Sequence, residues 1–377
     1  MSEVLCIPGP VTVDADVERA FAGPIRPHYG DAGVAQHREL GGLLRAVMRT
    51  EGDVVMLFGP GTAGLEAALA SALAPGDEVL VVRNGFFGDR LAEIATALGL
   101  RVHPVGAGGR QPARAADLRA ARAAHPGARA LAVVHHETSY GLVNPVRDLC
   151  EVAREEGLLT VVDAVASLGG IPLEVDRWSV DLCVGVANKC LGAPVAVAPV
   201  SVSRRAWAAI DDGRPKAAGW YLNLATWRRY ERDWGDWHPY PVTMPANAME
   251  ALAEALRGIQ RRGLACHQAR LAAAAARVRR ELRALGFQML VPDEHASPVT
   301  TAVCALPGMD VAHYLRWMRV EHGLRLGGGL GELHDCVFRV GHMGAAARPG
   351  VVDEYLRATA DYVSAFAVPR ALTKHGS

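Results

Sequence analysis

The first half of the chain alternates short apolar runs with longer segments in which apolar residues recur at helical spacing. The apolar runs predict the strands Asp53–Gly59, Glu78–Arg83, Arg101–Val105, Ala130–His135, Leu159–Val165 and Asp181–Ala187. The intervening segments predict the helices Thr62–Leu73, Gly88–Leu98, Ala115–Ala124 and Val146–Gly157. This alternation is typical of an α/β fold whose central sheet is mainly parallel and flanked by helices. Ligands of such sheets bind at the carboxyl ends of the strands.

The second half of the chain predicts a long helical connection and a smaller lobe. Helical spacing runs from Asn247 to about Leu285, with an interruption near Gly263. The strand Cys336–Val340 and a helix from Val351 to about Phe366 follow. Because 377 residues exceed one compact core, we expect an N-terminal arm (1–20), a large domain (21–255) and a small C-terminal α+β domain (256–377).

Composition and charge exclude several classes of partner. Lys+Arg and Asp+Glu both number 40, a balance that gives no reason to expect nucleic acid or an anionic membrane as partner. No long apolar window predicts a membrane span, and the start of the chain lacks the pattern of a signal peptide. Seven cysteines without a Cys-x-x-Cys pair predict free thiols and a cytoplasmic location.

Two polar segments follow predicted strands. Gly59–Ala63 lies between a strand and a helix, where it forms either an anion site or a plain tight turn, and it lacks the lysine of a nucleotide-binding P-loop. His135, His136 and the adjacent Glu137 invite a zinc interpretation, but neighbours on a strand point to opposite faces, so the two histidines would be a poor ligand pair and we expect no metal there. A strand end facing a cofactor is the better interpretation, with Thr138 as a hydrogen-bond donor.

Asp163 and Lys189 each close an apolar run that predicts a buried strand. Alone, the aspartate would be a helix cap and the lysine a solvated surface residue. Together they match what pyridoxal phosphate needs, a lysine for a Schiff base with its aldehyde and a carboxylate for its pyridinium nitrogen. Phe87 is either a ring stacked on a heterocycle or a core aromatic. Arg339 lies in an apolar strand and needs an anion, either an internal acid or a substrate carboxylate or phosphonate.

The order and spacing of these segments resemble the class V aminotransferases, which are fold-type I enzymes dependent on pyridoxal phosphate. The resemblance runs from Pro8-Gly9-Pro10 to the Arg339 segment, and its main stretches are His135–Gly141, Val161–Gly170, Ala187–Cys190, Trp234–Thr243, Arg283–Phe287 and Asp293–Pro298. Within the class, the chain looks closest to 2-aminoethylphosphonate–pyruvate transaminases. It is also similar to alanine–glyoxylate and serine–pyruvate aminotransferases.

The resemblance implies a role for each matching residue. Lys189 would carry the cofactor as a Schiff base and move the substrate proton, and Asp163 would pair with the pyridinium nitrogen. The remaining cofactor residues implied by the match are Val165 and Phe87 for the ring, Gly61, Thr62 and Asn188 for the phosphate, and Thr138 for the phenolic oxygen. Tyr240 and Thr243 would reach the phosphate of the neighbouring subunit, which implies a homodimer with shared sites. Arg339 would anchor the anionic group of the substrate.

The chain departs from the family pattern around the substrate. Tyr140 stands where relatives have a small residue, Pro194-Val195 replaces Pro-Gly, and the Arg26–Asp31 segment containing His28 is unusual. We therefore expect Tyr140 and His28 to contact substrate. The expected reaction moves an amino group between a small anionic amine and a 2-oxo acid. A lyase or decarboxylating deaminase acting on an amino-acid-derived metabolite is the first alternative, and a non-catalytic regulator or a zinc hydrolase are more distant ones.

Overall fold

A computed structural model describes residues 3–106 and 108–366, so the last part of the predicted small domain, 367–377, lies outside the described residues. The strands are β1 Val4–Cys6, β2 Asp53–Phe58, β3 Glu78–Val82, β4 Arg101–Val105, β5 Ala128–Val134, β6 His136–Glu137, β7 Leu142–Val143, β8 Leu159–Asp163, β9 Leu182–Val184, β10 Val197–Val202, β11 Gln288–Met289, β12 Thr300–Cys304, β13 Leu324–Gly328 and β14 Val337–Gly341.

The helices flank these strands. They are α1 Ala15–Phe21, α2 Gly30–Met48, α3 Gly61–Ala72, α4 Phe86–Ala97, α5 Ala115–Ala124, α6 Val146–Glu155, α7 Arg204–Ile210, α8 Leu224–Trp234, α9 Ala246–Arg262, α10 Leu264–Ala284, α11 Val311–His322 and α12 Pro349–Phe366, with short 3₁₀ turns at Gly331–Leu333 and Gly344–Ala347. Within the described ranges, none of these helices is long and apolar enough to cross a membrane.

The central sheet has seven strands in the order β2-β10-β9-β8-β5-β3-β4. All neighbours are parallel except β10, which runs antiparallel to β2 and β9. The α/β prediction is confirmed, but the antiparallel strand was not predicted. It reverses direction because a loop without a helix, residues 185–196, joins it to β9, and a parallel return needs a longer crossover.

Helix α3 lies so close to the sheet that only a glycine fits at one contact. A Cβ built on Gly64 would be 2.7 Å from Val184 Cγ1, so the absence of a side chain lets the helix backbone approach β9. The rest of the helix is mainly alanine and leucine and contributes to one large core together with the buried strands. This packing fixes the amino end of α3 beside the carboxyl ends of the central strands.

A second sheet of five strands, in the order β1-β13-β14-β12-β11, forms a separate core with α10, α11 and α12. The chain's first strand belongs to this sheet, since β1 pairs in parallel with β13. Helix α1 instead contacts α9 of the large lobe. The segment between β1 and α1 therefore passes from one lobe to the other, and its course takes it over the end of the central sheet.

Candidate active site

Four predicted cofactor residues meet where the strands of the central sheet have their carboxyl ends. Asp163 ends β8 and pairs in register with Val184 of β9, and Lys189 follows β9 on the next turn. A Cβ built on Gly61, the first residue of α3, would be 2.5 Å from Val165 Cγ2. The chain thus brings together the end of β8, the turn after β9 and the amino end of α3.

Asp163 is a buried carboxylate that forms no ion pair with the described residues. The N–H of Val165 donates to its Oδ1 over 2.9 Å, and no group of residues 3–106 or 108–366 hydrogen-bonds or ion-pairs with Oδ2. Burial raises the pKa of Asp163 to about 6, although the charges of Lys189 and Arg90 act in the opposite direction. A buried carboxylate that retains a free oxygen fits a protonated ring nitrogen as its partner.

Lys189 is also without a carboxylate in ion-pair distance within the described ranges. Its Nζ donates to the carbonyl of Pro8, in the segment that passes between the lobes. Burial lowers the pKa of Lys189, and the nearby charge of Arg339 lowers it further. An amine held in this way is more often unprotonated and therefore nucleophilic.

The amino end of α3 presents free backbone donors. Pro60 occupies the N-cap, and no side chain in the described part of the chain caps the helix. The N–H groups of Ala63 and Gly64 bond to the Pro60 carbonyl, whereas those of Gly61 and Thr62 have no partner in the described part of the chain. Free N–H groups at a helix start favour an anion such as a phosphate. Asn188 lies half-buried next to Lys189.

Phe87 is held by a glutamate to which we assigned no role from the sequence. Glu137 is fully buried, and its Oε2 accepts hydrogen bonds from the N–H groups of Phe87 (2.9 Å) and Gly88 (3.0 Å). Its Oε1 accepts from the N–H (3.1 Å) and the hydroxyl (2.6 Å) of Ser139. An acid at the end of an apolar strand was the available signal, because such a group needs several donors. Glu137 therefore fixes the start of α4 and the position of the Phe87 ring.

Arg90 was also missed from the sequence. Its guanidinium lies 4.9 Å from the centroid of the Phe87 ring, one helical turn along α4. Its charge is among those that lower the pKa of Asp163. Thr138, which follows Glu137, has a buried hydroxyl with no hydrogen-bond partner within the described ranges.

Arg339 is buried in β14 and bonds only to carbonyl oxygens. Its Nε donates to Gly328 O over 2.8 Å and its Nη1 to Thr138 O over 3.3 Å. No carboxylate among the residues that the structure describes ion-pairs with it, and burial lowers its pKa to about 10. The internal acid considered from the sequence is therefore not present there, and the positive charge remains available to an anion from solution.

Tyr140 lies on the small-lobe side of the site. It is half-buried and packs against a small apolar cluster of Leu290, Ala302, Leu333 and Val337. Ala302 is the strand partner of Arg339, which brings Tyr140 to the same side of the site as the arginine.

Three other predicted contacts, His28, Tyr240 and Thr243, differ in their exposure. His28 Nε2 lies 3.0 Å from His238 Nε2, and Thr243 is exposed. Tyr240 is 1% exposed, packs against His37, and has a hydroxyl without a partner among the described residues. Within one chain, none of these residues is brought to Lys189 by a hydrogen bond.

The adjacent histidines bond to different groups. His135 Nδ1 lies 3.0 Å from Ser167 Oγ, and His136 Nδ1 lies 3.1 Å from the Ala166 carbonyl oxygen. Burial lowers their pKa values to about 4 and about 3, so both are neutral. They support the turn after β8.

The residues at this edge fit pyridoxal phosphate. The free oxygen of Asp163 suits a protonated pyridine nitrogen, the free N–H groups of α3 suit a phosphate, and the unpartnered hydroxyl of Thr138 suits a phenolic oxygen. Lys189 suits an aldehyde.

Comparison with known proteins gives a consistent result. The profile of the class-V aminotransferase family matches residues 44–327. An uncharacterized aminotransferase of Methanocaldococcus jannaschii is 29% identical over 352 residues, covering 93% of this chain and 90% of the relative. A 2-aminoethylphosphonate–pyruvate transaminase of Aeromonas hydrophila is 31% identical over 337 residues, covering 88% and 84%. The crystal structure of an alanine–glyoxylate aminotransferase from Nostoc sp. has a TM-score of 0.91 at 36% identity and covers 96% of both chains.

Proposed function

The chain belongs to the class-V aminotransferase family and is a transaminase that depends on pyridoxal phosphate, and we propose that Lys189 is its cofactor-bearing lysine. The observation that carries this assignment is an amine and a carboxylate, neither ion-paired within residues 3–106 and 108–366, at the end of β8 and on the turn after its neighbour β9. Asp163 would hold the ring nitrogen, and Gly61, Thr62 and Asn188 would hold the phosphate. Val165 and Phe87 would pack on the ring, and Thr138 would bond to the phenolic oxygen.

Lys189 moves the proton in the proposed mechanism. The bound cofactor supplies an aldehyde that takes up the amino group and a ring that accepts the electron pair of the breaking C–H bond. Lys189 Nζ takes the proton from the substrate carbon, and burial supports this role because it lowers the pKa of the amine. The Pro8 carbonyl accepts a hydrogen bond from the same nitrogen and orients it.

Arg339 defines the class of substrate in this proposal. A hydrogen bond from its guanidinium to the Thr138 carbonyl places the positive charge beside the site. In the part of the chain that the structure describes, no carboxylate ion-pairs with this guanidinium. A carboxylate or phosphonate would bind it with two parallel hydrogen bonds. The donor would then be a small anionic amine, either an amino acid or an aminophosphonate, and the acceptor a 2-oxo acid.

Tyr140 favours one alternative outcome at the same site. Its large ring stands where family members have a small residue and lies beside the strand partner of Arg339. A reshaped substrate side supports a lyase or decarboxylating deaminase, in which elimination or loss of carbon dioxide replaces the transfer of the amino group.

A homodimer is the proposed assembly. Exposed apolar side chains gather on the segments that contain His28 and His238, and they include Ile25, Tyr29, Trp234 and Trp237. The two segments are joined by a hydrogen bond from Gly30 N to Trp237 O. Thr243 lies exposed close by in the sequence, which suits a residue that reaches a neighbouring subunit. Free cysteines throughout the chain support the proposed cytoplasmic location.

Borohydride trapping tests the role of Lys189 without relying on turnover. Reduction of the cofactor-loaded protein, followed by peptide mass spectrometry, should find the cofactor attached to Lys189. Lys216 is the matched control, because its amine ion-pairs with Asp212. Attachment at Lys216, or labelling that persists in Lys189→Ala, would contradict the assignment.

The same preparation separates the two candidate reactions. The amine panel comprises 2-aminoethylphosphonate, alanine, serine and cysteine S-conjugates, without a 2-oxo acid. A reaction that stops after one equivalent and resumes on addition of a 2-oxo acid supports the transaminase and identifies its donor. Continued turnover without an acceptor supports the lyase or deaminase.

A further inference from the structure

Three potential metal ligands lie close together near the amino ends of β3 and β4, away from the active site at the carboxyl ends of the strands. Glu78 is the first residue of β3, His103 lies in the neighbouring β4, and His125 follows the last residue of α5. Each offers a ligand atom within 4.8 Å of the other two. Asp163 and Lys189 lie at the carboxyl ends of parallel strands, whereas Glu78 begins such a strand. The active site and the group around Glu78 therefore lie at opposite ends of the strands.

The sheet register explains why residues so far apart in sequence converge here. Glu78 pairs with Arg101, and Leu80 with His103, so Glu78 and His103 lie on the same face of adjacent strands. His103 Nε2 is 3.2 Å from Glu78 Oε2. The imidazole of His125 stacks on that of His103, with centroids 3.6 Å apart and planes at 13°.

We propose that Glu78, His103 and His125 bind one Zn²⁺ ion at a site separate from the active site. Two imidazole nitrogens and one carboxylate oxygen are a ligand set that zinc takes readily, with water completing the coordination. A separation of 3.2 Å between Glu78 Oε2 and His103 Nε2 is the spacing of two ligands on one zinc ion. All three side chains are half-buried, which partly excludes water yet leaves a path for the ion.

Two local features shape the site. The rings of His103 and His125 are stacked, so binding would require His125 to turn one ring nitrogen toward Glu78 Oε2 and His103 Nε2. His125 is half-buried and follows the last residue of α5. Arg101 Nη2 holds Glu78 Oε1 at 2.9 Å, so only Oε2 faces His103. Arg101 therefore competes with the metal ion for the charge of Glu78.

A bound ion would join α5 to β3 and β4 and would stabilise the large lobe. Because Zn²⁺ would bind the folded protein and not the unfolded chain at this site, it should raise the melting temperature of the cofactor-loaded protein. The ion would lie away from Lys189, so chelation should leave the trapping of the cofactor on Lys189 unchanged.

The test uses untagged, cofactor-loaded protein titrated with Zn²⁺ by calorimetry and with Co²⁺ by visible absorption. We expect one ion per chain and at least tenfold weaker binding in His103→Ala and His125→Ala. Arg101→Gln should bind Zn²⁺ more tightly than the unchanged protein. His334→Ala is the matched control, because His334 is an exposed histidine that pairs with Asp335 elsewhere. The absorption of the bound cofactor shows that each variant is folded.

Two results would overturn the metal site. One is the absence of a stoichiometric binding event in the unchanged protein. The other is equal Zn²⁺ affinity in the unchanged protein and in folded His103→Ala and His125→Ala. Either result leaves the assignment of Lys189 intact, because that assignment is read out by trapping.

Discussion

The backbone of Gly9 lies directly against the side chain of Lys189. A Cβ built on Gly9 would be 2.2 Å from Lys189 Cδ and 2.8 Å from its Nζ. Gly9 also has a φ of 96°, which side chains other than glycine rarely adopt. The segment between the two lobes therefore limits the positions that the lysine can take.

Gly9→Ala should consequently displace the lysine. We expect kcat to fall by about 10- to 100-fold, because a shift of about 1 Å at a reacting group has effects of that size. Gly76→Ala is the matched control, since Gly76 has a φ of 87° but nothing within 4 Å of its Cβ position. It carries the backbone strain without the collision. Equal kcat values in the two variants would show that the contact with Lys189 is unimportant.

Asp163→Asn should affect the cofactor-free and cofactor-loaded protein in opposite directions. The pKa of Asp163 is raised from 3.8 to about 6, so the folded protein binds more protons than the unfolded one between those values. Its stability should therefore fall as the pH rises from about 4 to above 6, by about 2 to 3 kcal/mol from this group. Asparagine removes that cost and can still accept the N–H of Val165.

Thermal unfolding checks this sign. Without cofactor, Asp163→Asn should melt a few degrees higher than the unchanged protein at pH 8, and the difference should shrink at pH 5. With cofactor, the variant should lose at least about 100-fold in turnover, because the ring nitrogen would lose the anionic partner that we propose for it. Lower stability of the cofactor-free variant at pH 8 would contradict an unpaired buried carboxylate.

Arg339→Lys keeps the positive charge but loses the planar pair of donors. We expect KM for both the amine and the 2-oxo acid to rise about 10- to 100-fold while cofactor absorption stays unchanged. Arg279→Lys is a suitable control, because Arg279 ion-pairs with Asp293 at 3.1 Å and so has an internal anion. Steady-state kinetics with both substrates provides the measurement, and an unchanged KM would exclude Arg339 as the anchor.

Glu137→Gln should loosen Phe87. The amide of glutamine has one NH₂ group in place of a carboxylate oxygen, and an NH₂ group cannot accept hydrogen bonds from the N–H and O–H donors that surround Glu137. We therefore expect the free energy of unfolding to fall by about 1 to 3 kcal/mol. The dissociation constant for the cofactor should increase as well, because the Phe87 ring, which we propose to pack on the cofactor, would shift. Glu93→Gln is the control, since Glu93 is exposed on α4, the helix that carries Phe87. Unchanged cofactor affinity in Glu137→Gln would mean that Phe87 does not depend on this cap.

The sequence predicts residues whose position follows from a local pattern of apolar and polar positions. It does not predict roles that depend on contacts between segments far apart in the chain. Asp163 ends β8 and Lys189 lies on the turn that follows β9, so a pattern of apolar runs predicts both residues and the end of the sheet at which they lie. The role of Gly9 depends on a segment that crosses from one lobe to the other, and no local pattern indicates where that segment passes. Glu137 resembles a metal ligand in sequence, and only the fold shows four donors around it.

Exposed aromatic side chains predict how the protein assembles. Trp237 is 51% exposed and lies 5.8 Å from Tyr29, ring to ring, while Ile25 is 95% exposed. A patch of this kind on a folded chain is typical of an interface. Light scattering should therefore give the mass of a dimer. Trp237→Glu should shift the protein to monomer and weaken cofactor retention, because Thr243 from the partner would be lost.

Val320→Glu tests whether that effect is specific. Val320 is 67% exposed on α11 in the other lobe, so the same charge there should leave the dimer and the cofactor in place. If Trp237→Glu became monomeric but kept its cofactor affinity, the two sites would not be shared and Thr243 would have no role across the interface. If both variants stayed dimeric, the aromatic surface would not be the interface. An active site completed by the second subunit is supported only if Trp237→Glu becomes monomeric and binds the cofactor more weakly, while Val320→Glu changes in neither respect.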